Sequence, residues 1–203
     1  VVRFWAANLL GEYPELDWVE TELATLVNDP DARVRKAVIQ SLGKVGDTIA
    51  ASAALRMLRD PAPFVRAHAP RALGELDRPE EAPAVAELLG DPDWWVRVAA
   101  KQSLETMGSE VWPVLMRCLD HPDEFVRNGA AEVFQNLGIL DSLIMMEAAS
   151  DDPSGSKVDL LRRIASAGGM RMTNSLIERA GPAAAPRVRR LLATMGLEQA
   201  GAA

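Results

Sequence analysis

The sequence is poor in cysteine, in aromatic residues and in long apolar runs, and each shortage excludes a class of structure. Cys118 is the one cysteine among 203 residues, so an intrachain disulfide and a zinc site of the CxxC type are excluded. Aromatic residues make up 5% of the chain, and alternating β-branched residues are hard to find, which argues against a β-sheet. No apolar stretch reaches the roughly 18 to 20 residues that a membrane span requires. We therefore expect a helical protein of the cytoplasm.

A short pattern recurs at regular spacing along the chain. The dipeptide Asp-Pro occurs at residues 29–30, 60–61, 91–92 and 152–153. His121-Pro122 fills the gap between the last two copies, which makes the spacings between prolines 31, 31, 30 and 31 residues. A Val-Arg pair follows each of the first four prolines of this series, at 34–35, 65–66, 96–97 and 126–127. Self-similarity at this period is typical of repeat proteins.

The residues that follow these valines are apolar at helical spacing. The eighth position after the valines, counting from Val2 as well, holds Leu10, Leu42, Leu73, Leu104 and Phe134. Together with the third, fourth and seventh positions, it forms one stripe of a helix at 100° per residue. The preceding half of each repeat shows the same period, so every repeat is predicted to be a pair of antiparallel helices.

Glycine and Asp-Pro are predicted to mark the helix ends. Gly46, Gly108 and Gly138 stand where a second helix would end on a residue of left-handed backbone conformation. In each Asp-Pro, the aspartate is expected to be the N-cap of the second helix and the proline to occupy its first turn.

One helix pair cannot bury both of its apolar faces, so neighbouring pairs must stack. The predicted fold is all-α, a right-handed α-solenoid of about six to seven antiparallel helix pairs of ~31 residues. We expect a single domain, with repeats at 1–13 (a half repeat), 14–46, 47–77, 78–108, 109–138, 139–169 and 170–196, and a tail at 197–203. Because the first residues already lie in the second half of a repeat, the chain is expected to be a fragment of a longer protein.

The pattern Asp-Pro-x-x-x-Val-Arg, with Leu-Gly near the end of the repeat, resembles the HEAT-like repeats of phycobilisome-lyase-type proteins. The resemblance covers residues 1 to 195 and implies a ladder of hydrogen bonds between Asp and Arg. The expected ladder pairs Asp29 with Arg35, Asp60 with Arg66 and Asp91 with Arg97. Asp159 stands where the sixth repeat would need an arginine, so the ladder is expected to break there.

The resemblance also implies that the second helices line a concave groove. Their outward positions, which are the second, fifth, sixth and ninth after each valine, include Lys36, Gln40, Arg71, Lys101, Gln102, Glu105, Asn128, Glu132 and Gln135. This mixed, amide-rich surface would suit a polar peptide or a protein face; the alternative is an ordinary solvated helix face.

Two adjacent tryptophans precede Val96, and one of them has aromatic counterparts in other repeats. Trp95 matches Phe64 and Phe125, so we expect it to pack over the turn between helices. Trp94 matches small or polar residues and is a candidate contact residue for a partner.

Pro70 is predicted to kink a second helix, because proline removes a backbone hydrogen bond. Next to it, His68 stands where sister repeats have Ala37, Ala99 and Gly129. A bend of the groove is one interpretation, and drift of the repeat with a locally satisfied histidine is the other. Neither histidine has carboxylate or cysteine neighbours at ligand spacing, so no metal site is predicted.

The C-terminal repeats are basic, whereas the rest is acidic. Residues 1–156 hold 14 Lys+Arg and 26 Asp+Glu, and residues 157–190 hold 8 and 2. The basic patch comprises Arg162, Arg163, Arg171, Arg187 and Arg190, with Arg179 and Arg189 nearby. It could attract phosphate or an acidic partner.

No constellation of catalytic residues is visible, so the sequence predicts no enzyme and no cofactor. The preferred hypothesis is a non-catalytic protein-interaction scaffold that presents its groove to a protein or peptide, and regulation of a larger polypeptide is one form of it. Two alternatives are a lyase-like or chaperone-like subunit acting on a chromophore protein, and nucleic-acid binding through the basic C-terminal repeats. The net charge of −7 disfavours nucleic acid, and no membrane contact is expected.

Overall fold

A computed structural model describes residues 1–46, 48–149, 155–167, 177 and 180–195, and every regular element in these ranges is helical. The predicted all-α solenoid of helix pairs is confirmed. The chain divides into two compact units, residues 1–118 (unit 1) and residues 119–203 (unit 2). The expected repeat boundaries, and a single domain over the whole chain, stay predictions.

Unit 1 contains nine α-helices in its described residues. They are α1 Val2–Leu10, α2 Val19–Thr25, α3 Ala32–Val45, α4 Thr48–Met57, α5 Pro63–Arg66, α6 His68–Glu75, α7 Ala82–Glu87, α8 Trp94–Thr106 and α9 Trp112–Cys118. Short 3-10 turns at Pro79–Glu81, Leu88–Gly90 and Gly108–Val111 adjoin α7, α8 and α9.

The helices of unit 1 form two layers that enclose a leucine-rich core. The second helices of the repeats, α1, α3, α6 and α8, pack side by side in chain order. The first helices lie behind them, with α2 beside α4 and α7 beside α9. The predicted stripe points between the layers, since Leu42, Leu73 and Leu104 are fully buried. Burial of each such leucine contributes roughly 1.5 to 3 kcal/mol.

Unit 2 repeats the helical construction in its described part. Its helices are α10 Glu124–Asn136, α11 Ile139–Ala149, α12 Gly155–Ser166 and α13 Gly181–Thr194. α10 packs on α11 and α12, and α11 also packs on α12 and α13. Phe134, Ile144, Leu161 and Ile164 are fully buried at the centre of this arrangement.

The helix ends agree with the prediction at two glycines and differ at the third. Gly108 and Gly138 have φ of +72° and +69°, as a left-handed helix end requires. The prediction for Gly46 is wrong, because its backbone is extended, with φ −94° and ψ 170°. Glycine serves another purpose there: a β-carbon would lie 2.0 Å from that of Ala50, on the next helix.

The second helices begin two residues later than the sequence suggests. The N-cap of α3 is Asp31, which accepts a hydrogen bond from the N–H of Arg33, and Asp93 and Asp123 cap α8 and α10 in the same way. The N-cap prediction for the aspartates of Asp-Pro is therefore wrong. Asp29 instead accepts the N–H of Asp31 at 2.9 Å, in a turn that leads into the cap.

Pro70 interrupts the second helix of its repeat, as predicted. Helix α5 ends at Arg66 and α6 starts at His68, with Ala67 between them. Proline has no N–H to donate to the carbonyl of the residue four positions earlier, which here is Arg66.

Candidate protein-binding surface

Arginine and aspartate side chains join neighbouring repeats of unit 1. Nε and Nη2 of Arg35 donate to the two carboxylate oxygens of Asp60 at 2.7 and 2.8 Å, and Nη1 donates to the backbone carbonyl of Asp29 at 2.8 Å. Arg66 makes the same bonds one repeat later, to the carboxylate of Asp91 at 2.9 and 3.0 Å and to the carbonyl of Asp60 at 2.8 Å. Each guanidinium thus holds two consecutive Asp-Pro turns.

The pairing is displaced by one repeat from the pairing that the sequence suggested. The arginine donates only to the backbone carbonyl of the aspartate in its own repeat. Its Nε and Nη2, the fork of the guanidinium, donate to the carboxylate of the aspartate in the next repeat. By the same displacement Arg3, which the sequence analysis left out of the ladder, donates to Asp29 at 2.5 and 3.2 Å. The signal for it was present, because Arg3 belongs to the first Val-Arg pair.

The fifth copy of the motif keeps the turn without its aspartate. Nδ1 of His121 accepts the N–H of Asp123 at 3.1 Å, in the place of a carboxylate oxygen. Nη1 of Arg127 donates to the carbonyls of His121 and Pro122, each at 2.7 Å. Arg97 likewise donates to the carbonyl of Asp91 at 2.7 Å. The backbone half of the motif therefore survives where the sequence has lost the acid.

Two ion pairs of the ladder, Arg35 with Asp60 and Arg66 with Asp91, are buried. The side chains of Arg35 and Asp60 are 13% and 6% exposed, and those of Arg66 and Asp91 are 14% and 6% exposed. Burial alone would raise the pKa of Asp60, but hydrogen bonds from Arg35 and from the N–H of Ala62 outweigh it and lower that pKa below its ordinary value. The hydrogen bond to Asp60 raises the pKa of Arg35.

Small residues let the second helices approach one another closely. A β-carbon added to Gly43 would lie 3.1 Å from the α-carbon of Ala72 on the next second helix. Buried serines also join these helices: Ser41 Oγ donates to the carbonyl of Ala7 at 2.8 Å, and Ser103 Oγ donates to that of Pro70 at 2.5 Å. Leu-Gly is recognisable in the sequence as a motif, but this function of its glycine is not, because it depends on the neighbouring helix.

The predicted groove residues of unit 1 lie on helices that pack in sequence. We call the solvent-exposed side of α3, α6 and α8 the second-helix face. Gln40, Arg71 and Gln102 occupy equivalent positions on the three helices and are exposed. They form a row, in which Arg71 Nη2 donates to Gln102 Oε1 at 3.3 Å. Three further residues of this prediction are half-buried, namely Lys36, Lys101 and Glu105.

The remaining predicted groove residues lie on α10 of unit 2. Asn128 and Glu132 are exposed there, and Gln135 is half-buried. Whether any of these residues, in either unit, binds a partner stays a prediction.

His68, on α6, has a half-buried ring that forms no hydrogen bond with the described residues. Burial, followed by the positive charges of Lys36 and Arg71, lowers its pKa to about 4. The expectation of a local backbone partner for His68 is therefore wrong.

The paired tryptophans are both exposed, so the expectation for Trp95 is wrong. Trp94 and Trp95 are 55% and 63% exposed, and their rings meet edge to face with centroids 4.5 Å apart. The counterparts Phe64 and Phe125 are also exposed, at 46% and 50%. These rings stand at the first residues of their helices, where the buried stripe has not yet begun at Val96 and its equivalents. Phe64 and the tryptophans start helices that pack together, α5 and α8.

Part of the predicted basic patch is engaged within unit 2. Arg163 pairs with Asp120 at 2.6 Å, and Arg162 pairs with Asp159 at 3.0 Å. Arg187, Arg189 and Arg190 are exposed on α13. Arg171 of the patch, and Arg179 near it, lie outside the described residues.

The described residues contain no group of three or more His, Cys, Asp and Glu side chains that could hold a metal ion. Burial raises the pKa of the Cys118 thiol, which disfavours the reactive thiolate. Among the helices of the described part, none has the length and apolar character needed to cross a membrane.

Comparison with known proteins gives the family and the fold. The family model described as HEAT repeats matches residues 1–69, 52–135 and 83–167. The complex of CpcE and CpcF of phycocyanin lyase from Nostoc sp. PCC7120 contains a similar chain, with a TM-score of 0.52 and 21% identity over 95% of this chain and 88% of that one. The archaeal HEAT-like repeats protein from Thermococcus onnurineus NA1 also has a TM-score of 0.52, with 16% identity over 95% of this chain and 92% of that one. No curated protein sequence matches.

Proposed function

Because the chain belongs to the HEAT repeat family, we propose that it is a non-catalytic scaffold whose second-helix face binds a protein or peptide. Solenoids of this kind stack repeats that contact only their neighbours and so create extended surfaces for recognition. The binding surface in this proposal is the row of Gln40, Arg71 and Gln102, with the half-buried side chains beside it.

The observation that carries the proposal is the rigid support beneath this face. Buried guanidinium forks and buried serines fix the second helices to one another, as Arg66 with Asp91 and Ser103 with Pro70 illustrate. The backbone on such a support loses little conformational freedom when a partner binds, and preorganisation of this kind favours affinity. Amide and charged side chains on exposed helix turns suit polar contacts with a protein.

Photo-crosslinking tests the proposal. A photoreactive phenylalanine analogue replaces Gln40 or Gln102 on the second-helix face, and in matched controls it replaces Ser52 or Arg59, which are exposed at the first helices. We expect the same protein to be captured in cells from both face positions and from neither control position. Equal capture from all four positions, or no capture from the face, would contradict the proposal.

A role with a chromophore protein is the second candidate. It is supported by the similarity to a chain of the phycocyanin lyase complex, and at 21% identity that similarity speaks for the fold. This candidate predicts a shift in the absorbance of a free bilin when the protein is added, whereas a scaffold without a bilin site leaves the spectrum unchanged. Nucleic-acid binding through Arg187, Arg189 and Arg190 is the third, and it predicts retention on DNA that salt abolishes.

A further inference from the structure

Two basic side chains of the second-helix face lie on the helix of His68 and on the helix beside it. Arg71 follows His68 by three residues on α6, which places the two on the same side of that helix, and Lys36 lies on α3, which packs against α6. The charges of Lys36 and Arg71 both contribute to the lowered pKa of His68. Arg71 is also oriented toward α8 by its hydrogen bond to Gln102. We call Lys36, His68 and Arg71 the cationic cluster.

The cationic cluster is not neutralised within the protein. In the described part of the chain, neither Lys36 nor Arg71 forms an ion pair with a carboxylate. Other basic residues of unit 1 do so: Arg3, Arg35 and Arg66 hold ladder aspartates, and Lys44 pairs with Glu12 at 2.8 Å. Glu75, one turn after Arg71, lies toward Gly43 instead.

The histidine adds a hydrogen-bonding group at this point. Sister repeats have Ala37 or Ala99 at the position of His68, and both are fully buried between helices. The larger ring cannot be accommodated in that way, and no side-chain nitrogen of His68 is buried without a partner. Its ring nitrogens therefore reach the surface, where they can hydrogen-bond to a ligand.

We propose that the cationic cluster binds an acidic peptide segment, with Lys36 and Arg71 each on a carboxylate and His68 hydrogen-bonding between them. The inference rests on the proposed binding role of the second-helix face and names the chemistry of its partner. Arg71 suits a carboxylate, because a guanidinium offers a planar fork of donors.

The surroundings of the cluster favour a short acidic segment over a long polyanion. Unit 1 as a whole holds 13 Lys+Arg and 18 Asp+Glu. A nucleic acid carries a phosphate at every nucleotide and would meet net repulsion along most of this unit. A peptide with a few carboxylates needs only the local excess of positive charge.

Fluorescence anisotropy tests the inference. The protein is titrated into a labelled peptide of alternating Glu and Gly residues, and into a second peptide in which Gln replaces every Glu. We expect the Glu peptide to bind at least about 10-fold more tightly at low salt, because two charge pairs are lost with Gln. Equal affinity for the two peptides would overturn the inference.

A matched pair of charge reversals tests the place of binding. The double variant Lys36→Glu with Arg71→Glu is compared with Arg56→Glu with Arg59→Glu, at exposed positions on the first helix α4 and in the turn that follows it. Both variants change the net charge equally. We expect the first to bind the Glu peptide about 10-fold or more weakly, and the second to bind it within about 2-fold of the native chain. Similar loss in both variants would refute a local site.

Two further measurements keep the outcome interpretable. Circular dichroism melting shows whether each variant folds. If Lys36→Glu with Arg71→Glu does not fold, the milder variant Lys36→Gln with Arg71→Gln replaces it and should also weaken binding. The photo-crosslinking experiment is independent of peptide charge. If the crosslinks form but the Glu peptide does not bind preferentially, the inference about acidic partners fails while the scaffold function stands.

Discussion

The guanidinium of Arg35 makes a set of hydrogen bonds that no other side chain could make in the same place. Its fork meets both oxygens of Asp60 while the remaining nitrogen holds the carbonyl of Asp29, so one planar group satisfies three acceptors in two repeats. A lysine presents a single compact charge on a flexible stem and would not match this geometry. The arginines of the first three Val-Arg pairs, Arg3, Arg35 and Arg66, therefore join neighbouring repeats.

Removing the charge from a ladder arginine should destabilise the protein. Arg66→Ala leaves Asp91 buried without its partner, and we expect the free energy of unfolding to fall by about 2 to 3 kcal/mol. Arg33→Ala removes an exposed arginine that pairs with Asp31 at 2.7 Å and should cost no more than about 0.5 kcal/mol. Urea denaturation of the two variants makes the comparison. Equal losses would mean that burial of the ladder is unimportant.

The histidine of the cationic cluster should make stability depend on pH between about 6.5 and 4. The folded-state pKa of His68 is about 4, below its ordinary value of 6.5, so the unfolded chain binds the proton more readily. The stability that the neutral His68 ring preserves is fully present above pH 6.5, and it is lost as the pH falls toward 4. The shift corresponds to roughly 3 kcal/mol, which partial exposure of the ring reduces to about 1 kcal/mol.

His68→Ala tests this prediction, because sister repeats have alanine at this position. We expect the variant to lose less stability than the native chain when chemical denaturation is repeated at pH 7 and pH 5. Parallel curves for the two proteins would show that His68 does not titrate as described. Below pH 4, protonation of Asp60, whose folded-state pKa is lowered, should destabilise both proteins alike.

At the scale of the helix, the close approach of neighbouring second helices explains why the Leu-Gly motif recurs. The leucine at the eighth position fills the core, and the glycine after it faces the next second helix. Where the motif changes, as at Glu105 and Gln135, the larger residues stay half-buried. The glycines therefore serve helix contact, and helix propensity is sacrificed for it.

Two glycines of the same motif should respond differently to substitution by alanine. Alanine favours a helix by about 1 kcal/mol over glycine. At Gly43 a β-carbon would press on the backbone of Ala72 at 3.1 Å, so Gly43→Ala should destabilise by about 1 to 2 kcal/mol. At Gly74 the nearest atom is the Ser103 hydroxyl oxygen at 3.2 Å, and we expect a change within about 0.5 kcal/mol.

Thermal melting of the two variants supplies the measurement. The native protein is the reference, and each variant differs from it by one methyl group. A more stable Gly43→Ala variant would show that α3 and α6 can move apart without loss.

The sequence predicted the helices and their pairing much better than it predicted their contacts. The spacing of Val34 and Leu42 reports burial on one side of a helix, and that is a local property. Which carboxylate Arg35 reaches depends on the distance to the next repeat, and no pattern within one repeat contains that distance. The prediction for Trp95 is wrong for a related reason, because a large apolar residue at a helix start is buried only if a neighbour covers it.

At the scale of the whole molecule, stability should be distributed by neighbourhood. In a repeat array each repeat contacts only the adjacent repeats, so the effect of a substitution on stability decays along the chain. The ladder belongs to unit 1, whereas unit 2 has its own core around Phe134 and Leu161. A defect in one unit should therefore open that unit first.

Hydrogen exchange can detect this locality. In Arg66→Ala we expect amide protection to fall most in α5, α6 and α8, and to change little in α12 and α13. Leu161→Ala should give the reverse pattern. A uniform loss of protection in both variants would mean that the two units unfold as one.

The displacement of the arginine fork onto the following repeat also determines how such a chain can grow. Duplicating a segment from one Val-Arg pair to the next gives the new guanidinium an aspartate ahead of it and the new aspartate a guanidinium behind it. A family built on this rule can lengthen by tandem duplication of DNA without ever burying an uncompensated charge. Segments of any other length would leave the junction mispaired, which gives selection a physical reason to preserve the period.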